Sequence, residues 1–125
     1  MELKNQVTNL ELSKKLKELG VKQESVWSWV VGDSKAPYLD DTKTALITIE
    51  IDKEDNRIKP KLYSAFTVAE LGEMLKGHEL ETIWEGKKWQ AFQTCKSEMF
   101  IDKTEANARA KMLIYLLENK LIEGV

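Results

Sequence analysis

Val7-Thr8-Asn9-Leu10-Glu11-Leu12 and Phe66-Thr67-Val68-Ala69-Glu70-Leu71 carry the same device for starting a helix. In each, the threonine hydroxyl can accept from a first-turn amide while the glutamate three residues on reaches back to the threonine's own amide. The apolar residue before the threonine and the leucine after the glutamate form the accompanying hydrophobic staple. Two helix starts are thereby placed, and the rest of the chain is read outward from them.

The first helix is expected from about Asn9 to Leu19, with Leu12, Leu16 and Leu19 on its buried stripe. Gly20 supplies a left-handed stop, and Val21 then folds back on Leu16 in a Schellman ending. Val26-Trp27-Ser28-Trp29-Val30-Val31 follows as a strand. A loop over 32–42 rich in Gly, Asp, Ser and Pro leads to Thr44–Ile51, where Ile47, Ile49 and Ile51 alternate with Thr48 and Glu50. That alternation predicts a strand with one buried face. A charged tip, Asp52 to Arg57, then returns the chain to Ile58–Tyr63 as its antiparallel partner.

The second helix runs from Val68 to about Lys76 and stops at Gly77. Leu80–Trp84, Lys88–Cys95 and Ser97–Ile101 read as strands, the first two joined through Glu85-Gly86-Lys87. The last helix starts at Asp102 or Thr104 and ends near 119–121, with Ala106, Ala110, Leu113, Leu117 and Leu121 on one stripe. The expected fold is α+β: one domain over 1–125, an antiparallel sheet of about five or six strands with three helices packed on it. A capped helix followed by a tryptophan-bearing strand occurs twice, but caps and strand aromatics recur for local reasons, so no duplication is inferred.

Composition narrows the function classes. With 125 residues, 42% of them apolar, the chain can bury a core without a disulfide or a metal. Nineteen basic groups against 21 acidic ones leave a net charge of -2, which gives no electrostatic reason to expect nucleic acid or an anionic membrane. Cys95 is a lone cysteine, the opening MELKNQVTNLEL lacks a signal-peptide apolar core, and no apolar run is long enough to span a bilayer. A soluble cytoplasmic protein is expected.

Catalytic chemistry finds little support. His78 and Cys95 are the only histidine and cysteine, too few for a structural zinc site. Asp52-Lys53-Glu54-Asp55-Asn56 lacks the glycine and ligand order of a calcium loop and reads as a solvated hairpin tip. Cys95 sits on an expected strand as a small packed hydrophobe, His78 follows a helix-ending glycine, and the six glycines are scattered rather than gathered in a phosphate loop. The sequence is read as non-enzymatic, with no cofactor and no metal.

Binding chemistry is better represented. Only Arg57 and Arg109 are arginines, and Arg109 lies early in the last helix among small residues with Lys111 nearby. A guanidinium near a helix start can grip a phosphate or carboxylate, or simply pair with Glu105 one turn back. Trp84 and Trp89 can stack a base beside these cations. Trp27 and Trp29 share one face of their strand while Val26 and Val30 take the other, so that strand is either wholly buried or lies with Tyr38 at an interface, and a homo-oligomer is expected. Leu16, Gly20, Val21, Val26 and Trp29 also match helix-turn-helix spacing, with Lys22–Val31 as recognition helix, against which stand Glu24, the β-branched run and the acidic chain.

NQVTNLELSKKLKELGVKQES, AFTVAELGEML and ARAKMLIYLLENKLI resemble a family of small uncharacterised proteins of bacteriophages, prophages and gut bacteria. The resemblance covers about half the chain and implies a setting, the bacterial host cytoplasm, without site residues. In that setting the expected function is an accessory binding protein, with counter-defence as a role the setting suggests, that sequesters a small phosphorylated nucleotide signal through Arg109, Lys111, Arg57, Trp84 and Trp89. The alternatives are a protein-binding inhibitor or adaptor of a host protein, docking through Trp27, Trp29 and Tyr38, and a helix-turn-helix regulator.

Overall fold

The computed structural model describes residues 2–32, 36–52, 60–93 and 98–122. A 3-10 turn at Leu3–Asn5 precedes α1 (Leu10–Glu18), β1 (Trp27–Val31), β2 (Tyr38–Asp41) and α2 (Thr42–Asp52). Then come β3 (Lys61–Ser64), α3 (Val68–Met74), β4 (Leu80–Trp84), β5 (Trp89–Gln93), β6 (Met99–Asp102) and α4 (Glu105–Glu118). The class is α+β as expected. The described strands, however, form two three-stranded antiparallel sheets, in the orders β2-β1-β3 and β4-β5-β6, rather than one sheet, and four α-helices rather than three accompany them.

The extra helix is α2, which replaces the strand expected at Thr44–Ile51. Asp41 decides this locally: its Oδ1 accepts from the Thr44 amide at 2.9 Å and its Oδ2 from the Thr44 hydroxyl at 2.8 Å, the geometry of a helix cap. Ala45 is buried, whereas Leu46 and Ile47 are 52% and 61% exposed. With that segment helical, β3 pairs instead with β1, Trp29 opposite Tyr63, and β1 takes β2 on its other edge, Trp29 opposite Leu39. β2 lies inside the segment expected to be a loop. Because Trp27–Val31 is a strand hydrogen-bonded on both edges, the recognition helix of the helix-turn-helix reading does not form.

The two quoted helix starts behave differently. At α3 the full box is present: the Glu70 amide donates to Thr67 Oγ1 at 3.1 Å, and the Thr67 amide to Glu70 Oε1 at 2.8 Å. At α1 the cap is Asn9, not Thr8; Asn9 Oδ1 accepts from the Leu12 amide at 2.9 Å. Thr8 is fully buried and serves the tertiary structure, its hydroxyl accepting from the Phe66 amide at 3.0 Å while its own amide donates to the Phe66 carbonyl at 2.9 Å. The two starts are thus stitched to each other. α1 ends as expected: Gly20 has a φ of 88°, its amide donates to the Lys17 carbonyl at 3.0 Å, and the Val21 amide donates to the Leu16 carbonyl at 3.1 Å.

α4 begins at Thr104, whose side chain accepts from the Asn107 amide at 3.2 Å. Its buried stripe packs on α1, α3 and the β4-β5-β6 sheet, and joins Leu16, Phe66 and Leu71 to Met112, Leu113 and Leu116 in one core cluster. Each such side chain removed from water contributes about 1.5–3 kcal/mol. Of the expected α4 stripe, Ala106, Ala110 and Leu113 are buried, Leu117 is half-buried, and Leu121 lies beyond the helix, exposed.

Candidate functional site

The β4-β5 hairpin turns through 85–88, with Gly86 at a φ of 81° and the Glu85 amide donating to the Lys88 carbonyl at 3.0 Å. Trp84 and Trp89 therefore stand opposite each other at the end of the ladder, and Asp102 of β6 continues the same row. Side chains of one cross-strand row share a face of the sheet. The next row, Thr82-Ala91-Phe100, lies under α4, where Ala106 and Ala110 are buried and small enough for close approach. Since α4 starts only at Glu105, the tryptophan row projects past its first turn. The indole rings of Trp84 and Trp89 are tilted at 49° with centroids 5.6 Å apart, and Trp84 remains 50% exposed.

A third indole reaches the same place from the other sheet. Trp27, at the start of β1, is positioned by the α3 capping glutamate, since Glu70 Oε1 accepts from the Ser25 hydroxyl at 2.8 Å and Oε2 from the Val26 amide at 3.2 Å. Trp27, Trp84 and Trp89 line one groove of about 760 Å³, within the range of small-ligand sites. Its remaining wall is built from the 3-10 turn, the first residues of α3, and Lys103, Thr104 and Glu105 at the entry to α4.

The charged residues around it sort into two kinds. Arg109 is turned inward with its side chain 18% exposed: Nη2 donates to Glu105 Oε2 at 2.8 Å and to Thr82 Oγ1 at 3.3 Å, and Nη1 donates to the Val68 carbonyl at 3.3 Å. Its Nε is buried without an acceptor among the described residues. Lys111 Nζ donates to the Ile101 carbonyl at 2.8 Å and pairs with Asp102 Oδ2 at 3.0 Å. Burial pushes the Asp102 carboxyl up, but Lys111, the Thr104 amide and Asn107 together hold it below its ordinary value. Lys103, by contrast, is exposed and makes no ion pair among the described residues.

Of the residues expected to bind ligand, Trp84 and Trp89 are thus brought together in the groove. Arg109 is bonded to Glu105 and Val68 of its wall, Lys111 is paired with Asp102 outside its lining, and Arg57 falls outside the described residues. Of the residues expected at an interface, Trp27 lines the groove, Trp29 donates its indole N–H to the Thr8 carbonyl at 2.9 Å, and Tyr38 is exposed on β2. Lys103 and Glu105 also line the groove, although in sequence the Asp102-Lys103-Thr104-Glu105 run reads first as a helix cap. Among the described residues no group of three or more His, Cys, Asp or Glu side chains is arranged to hold a metal, and no helix is long and apolar enough to cross a membrane. Cys95 and residues 53–56 lie outside the described residues.

Comparison with protein-family models, curated proteins and solved structures finds no match to this chain.

Proposed function

We propose that the protein is a non-enzymatic binding protein whose tryptophan groove takes a small phosphorylated nucleotide. The observation that carries this reading is the convergence of Trp27, Trp84 and Trp89, from two different sheets, on one groove roomy enough for a small ligand. Each base stacked on an indole gains about 1–3 kcal/mol. Lys103, which makes no ion pair among the described residues, offers a groove-lining cation for a phosphate, with Arg109 held against Glu105 and Val68 of the wall. The groove hydroxyls of Thr67 and Thr104 accept hydrogen bonds at helix caps, and Glu105 is held by Arg109, so the groove favours holding a ligand over transforming it. In the phage setting that the sequence resemblance implies, such a protein sequesters a nucleotide signal in the host cytoplasm.

Titration with nucleoside monophosphates, read by tryptophan fluorescence, tests this. Saturable quenching is expected, weakened about tenfold or more in Trp84→Ala, the loss of one stacking contact. Because Trp84 is half in solvent, that variant keeps the unfolding midpoint of the parent. No response to any nucleotide would sink the reading.

A protein-docking role is the second reading, favoured by Leu46 and Ile47 exposed on α2 beside the sheet that carries Tyr38. Here the occupant is a host protein or a second copy of the chain. Glu substitutions at both positions then abolish association in light scattering or co-purification while nucleotide quenching persists.

A further inference from the structure

We propose that the base taken by the groove is guanine, an inference that rests on the nucleotide-binding reading above. The argument turns on Glu105. Its Oε2 accepts from the Thr82 hydroxyl at 2.7 Å and from Arg109 Nη2 at 2.8 Å, and Arg109 also donates to Thr82 Oγ1 at 3.3 Å. Glu105, Thr82 and Arg109 thus close a three-membered ring of hydrogen bonds. The far side of that ring is tied to α3 through the Val68 carbonyl. The carboxylate is therefore fixed in orientation before any ligand arrives, the condition for discriminating between ligands rather than adapting to them.

Its other oxygen is unused. Oε1 accepts no hydrogen bond among the described residues, and the side chain is 22% exposed, so this oxygen is open to a ligand. Glu105 lines the groove beside Trp89 and Trp84. A fixed carboxylate is an acceptor only, and it selects the base edge that carries donors. Guanine presents N1–H and the N2 amino group side by side on one edge, so both donors can converge on the two lone pairs of the one open oxygen, with no opposed lone pair. Adenine sets the N1 lone pair beside its amino group, cytosine sets N3 beside its own, and uracil flanks its single N–H with two carbonyls. Each of these three turns at least one lone pair toward Glu105, and an unpaired, desolvated acceptor is costly. The stacking indoles contribute affinity for any base; Glu105 contributes the choice.

The test compares GMP, IMP, AMP and UMP on the unaltered chain by isothermal titration calorimetry. Hypoxanthine keeps N1–H and loses the amino group, so IMP isolates one hydrogen bond. GMP is expected to bind about tenfold more tightly than IMP and about a hundredfold more tightly than AMP or UMP, from charge-assisted hydrogen bonds. Equal binding of all four overturns guanine selection while leaving nucleotide binding intact; no binding of any removes both. In Glu105→Gln the guanine preference is expected to collapse to within about twofold, since an amide can present a donor to adenine's lone pair. A folded Glu105→Gln protein that still prefers GMP overturns the assignment. If the loss of the Arg109 pair unfolds that variant, the GMP to IMP ratio on the parent decides alone.

Discussion

Gly72 of α3 and Arg109 of α4 share one space: a Cβ built on Gly72 would lie 2.7 Å from Arg109 Nη1. An interior helical glycine ordinarily costs about 1 kcal/mol relative to alanine. Here the missing side chain lets the guanidinium pass over α3 to the Val68 carbonyl and on to Glu105 and Thr82. Arg109 therefore acts on the groove through Glu105, by holding that carboxylate still.

The first prediction concerns this pair. In the parent chain Gly72→Ala should lower stability by about 1–2 kcal/mol, because the guanidinium tip must give up bonds to make room. In an Arg109→Ala background the same change should stabilise by about 0.5–1 kcal/mol, the usual helix-propensity gain. Urea unfolding of the two single variants and the double variant gives the coupling energy directly. A stabilising Gly72→Ala in the parent would show that the arginine moves aside freely, and would remove the argument that Glu105 is rigidly held.

Asp102 gives a pH-dependent prediction. Its Oδ1 accepts from the Thr104 amide at 3.2 Å and from Asn107 Nδ2 at 3.3 Å, while Oδ2 pairs with Lys111 at 3.0 Å. Burial alone would raise its pKa, but these partners outweigh it and the net direction is downward. A carboxyl whose folded pKa is depressed contributes stability above its unfolded value of about 3.9, and loses it as the pH falls through the folded value. Asp102→Asn should therefore cost about 1–2 kcal/mol near pH 7. The gap to the parent should close progressively below about pH 4. Melting temperatures across that range decide the matter: a gap of constant size down to strong acid would mean that Asp102 acts by shape rather than by charge.

Some of this organisation is legible in the sequence, and the division follows range. The Thr67 and Glu70 box forms as read because both halves lie within one turn, and the α1 stop forms because Gly20 and Val21 are adjacent to the helix they end. The Trp84 and Trp89 pair is readable from its hairpin, and so is the Glu105 to Arg109 pair from its helical spacing. Thr44–Ile51 misleads because alternating Thr and Ile suits a strand in isolation. The Asp41 cap and the burial of Ala45 against the first sheet outweigh it, and the Asp-Asp-Thr-Lys-Thr start is the local signal for that cap. Trp27 joining the groove is a contact between two sheets, and no local spacing encodes it.

The last prediction separates two neighbours that look interchangeable in sequence. Asn9 and Thr8 can each cap a helix, and Asn9 does so through the Leu12 amide. Its own amide donates to Asn107 Oδ1 at 2.9 Å, a bond that any residue at position 9 other than proline can keep. Asn9→Ala should therefore cost only the cap, about 1 kcal/mol. Thr8→Val nearly preserves volume but removes a fully buried hydroxyl that lies 2.7 Å from Ser13 Oγ and accepts from the Phe66 amide. The Phe66 amide is then left inside the core without its acceptor, at a cost of about 1–3 kcal/mol. Ser13 has alternatives, since its hydroxyl also reaches the Asn9 carbonyl at 2.7 Å, so the penalty falls mainly on Phe66. Hydrogen exchange adds a local readout: Thr8→Val should deprotect the Phe66 amide selectively, whereas Asn9→Ala should loosen the first turn of α1. If Asn9→Ala proves the more damaging change, or the Phe66 amide keeps its protection in Thr8→Val, then Thr8 does not stitch the two helix starts together.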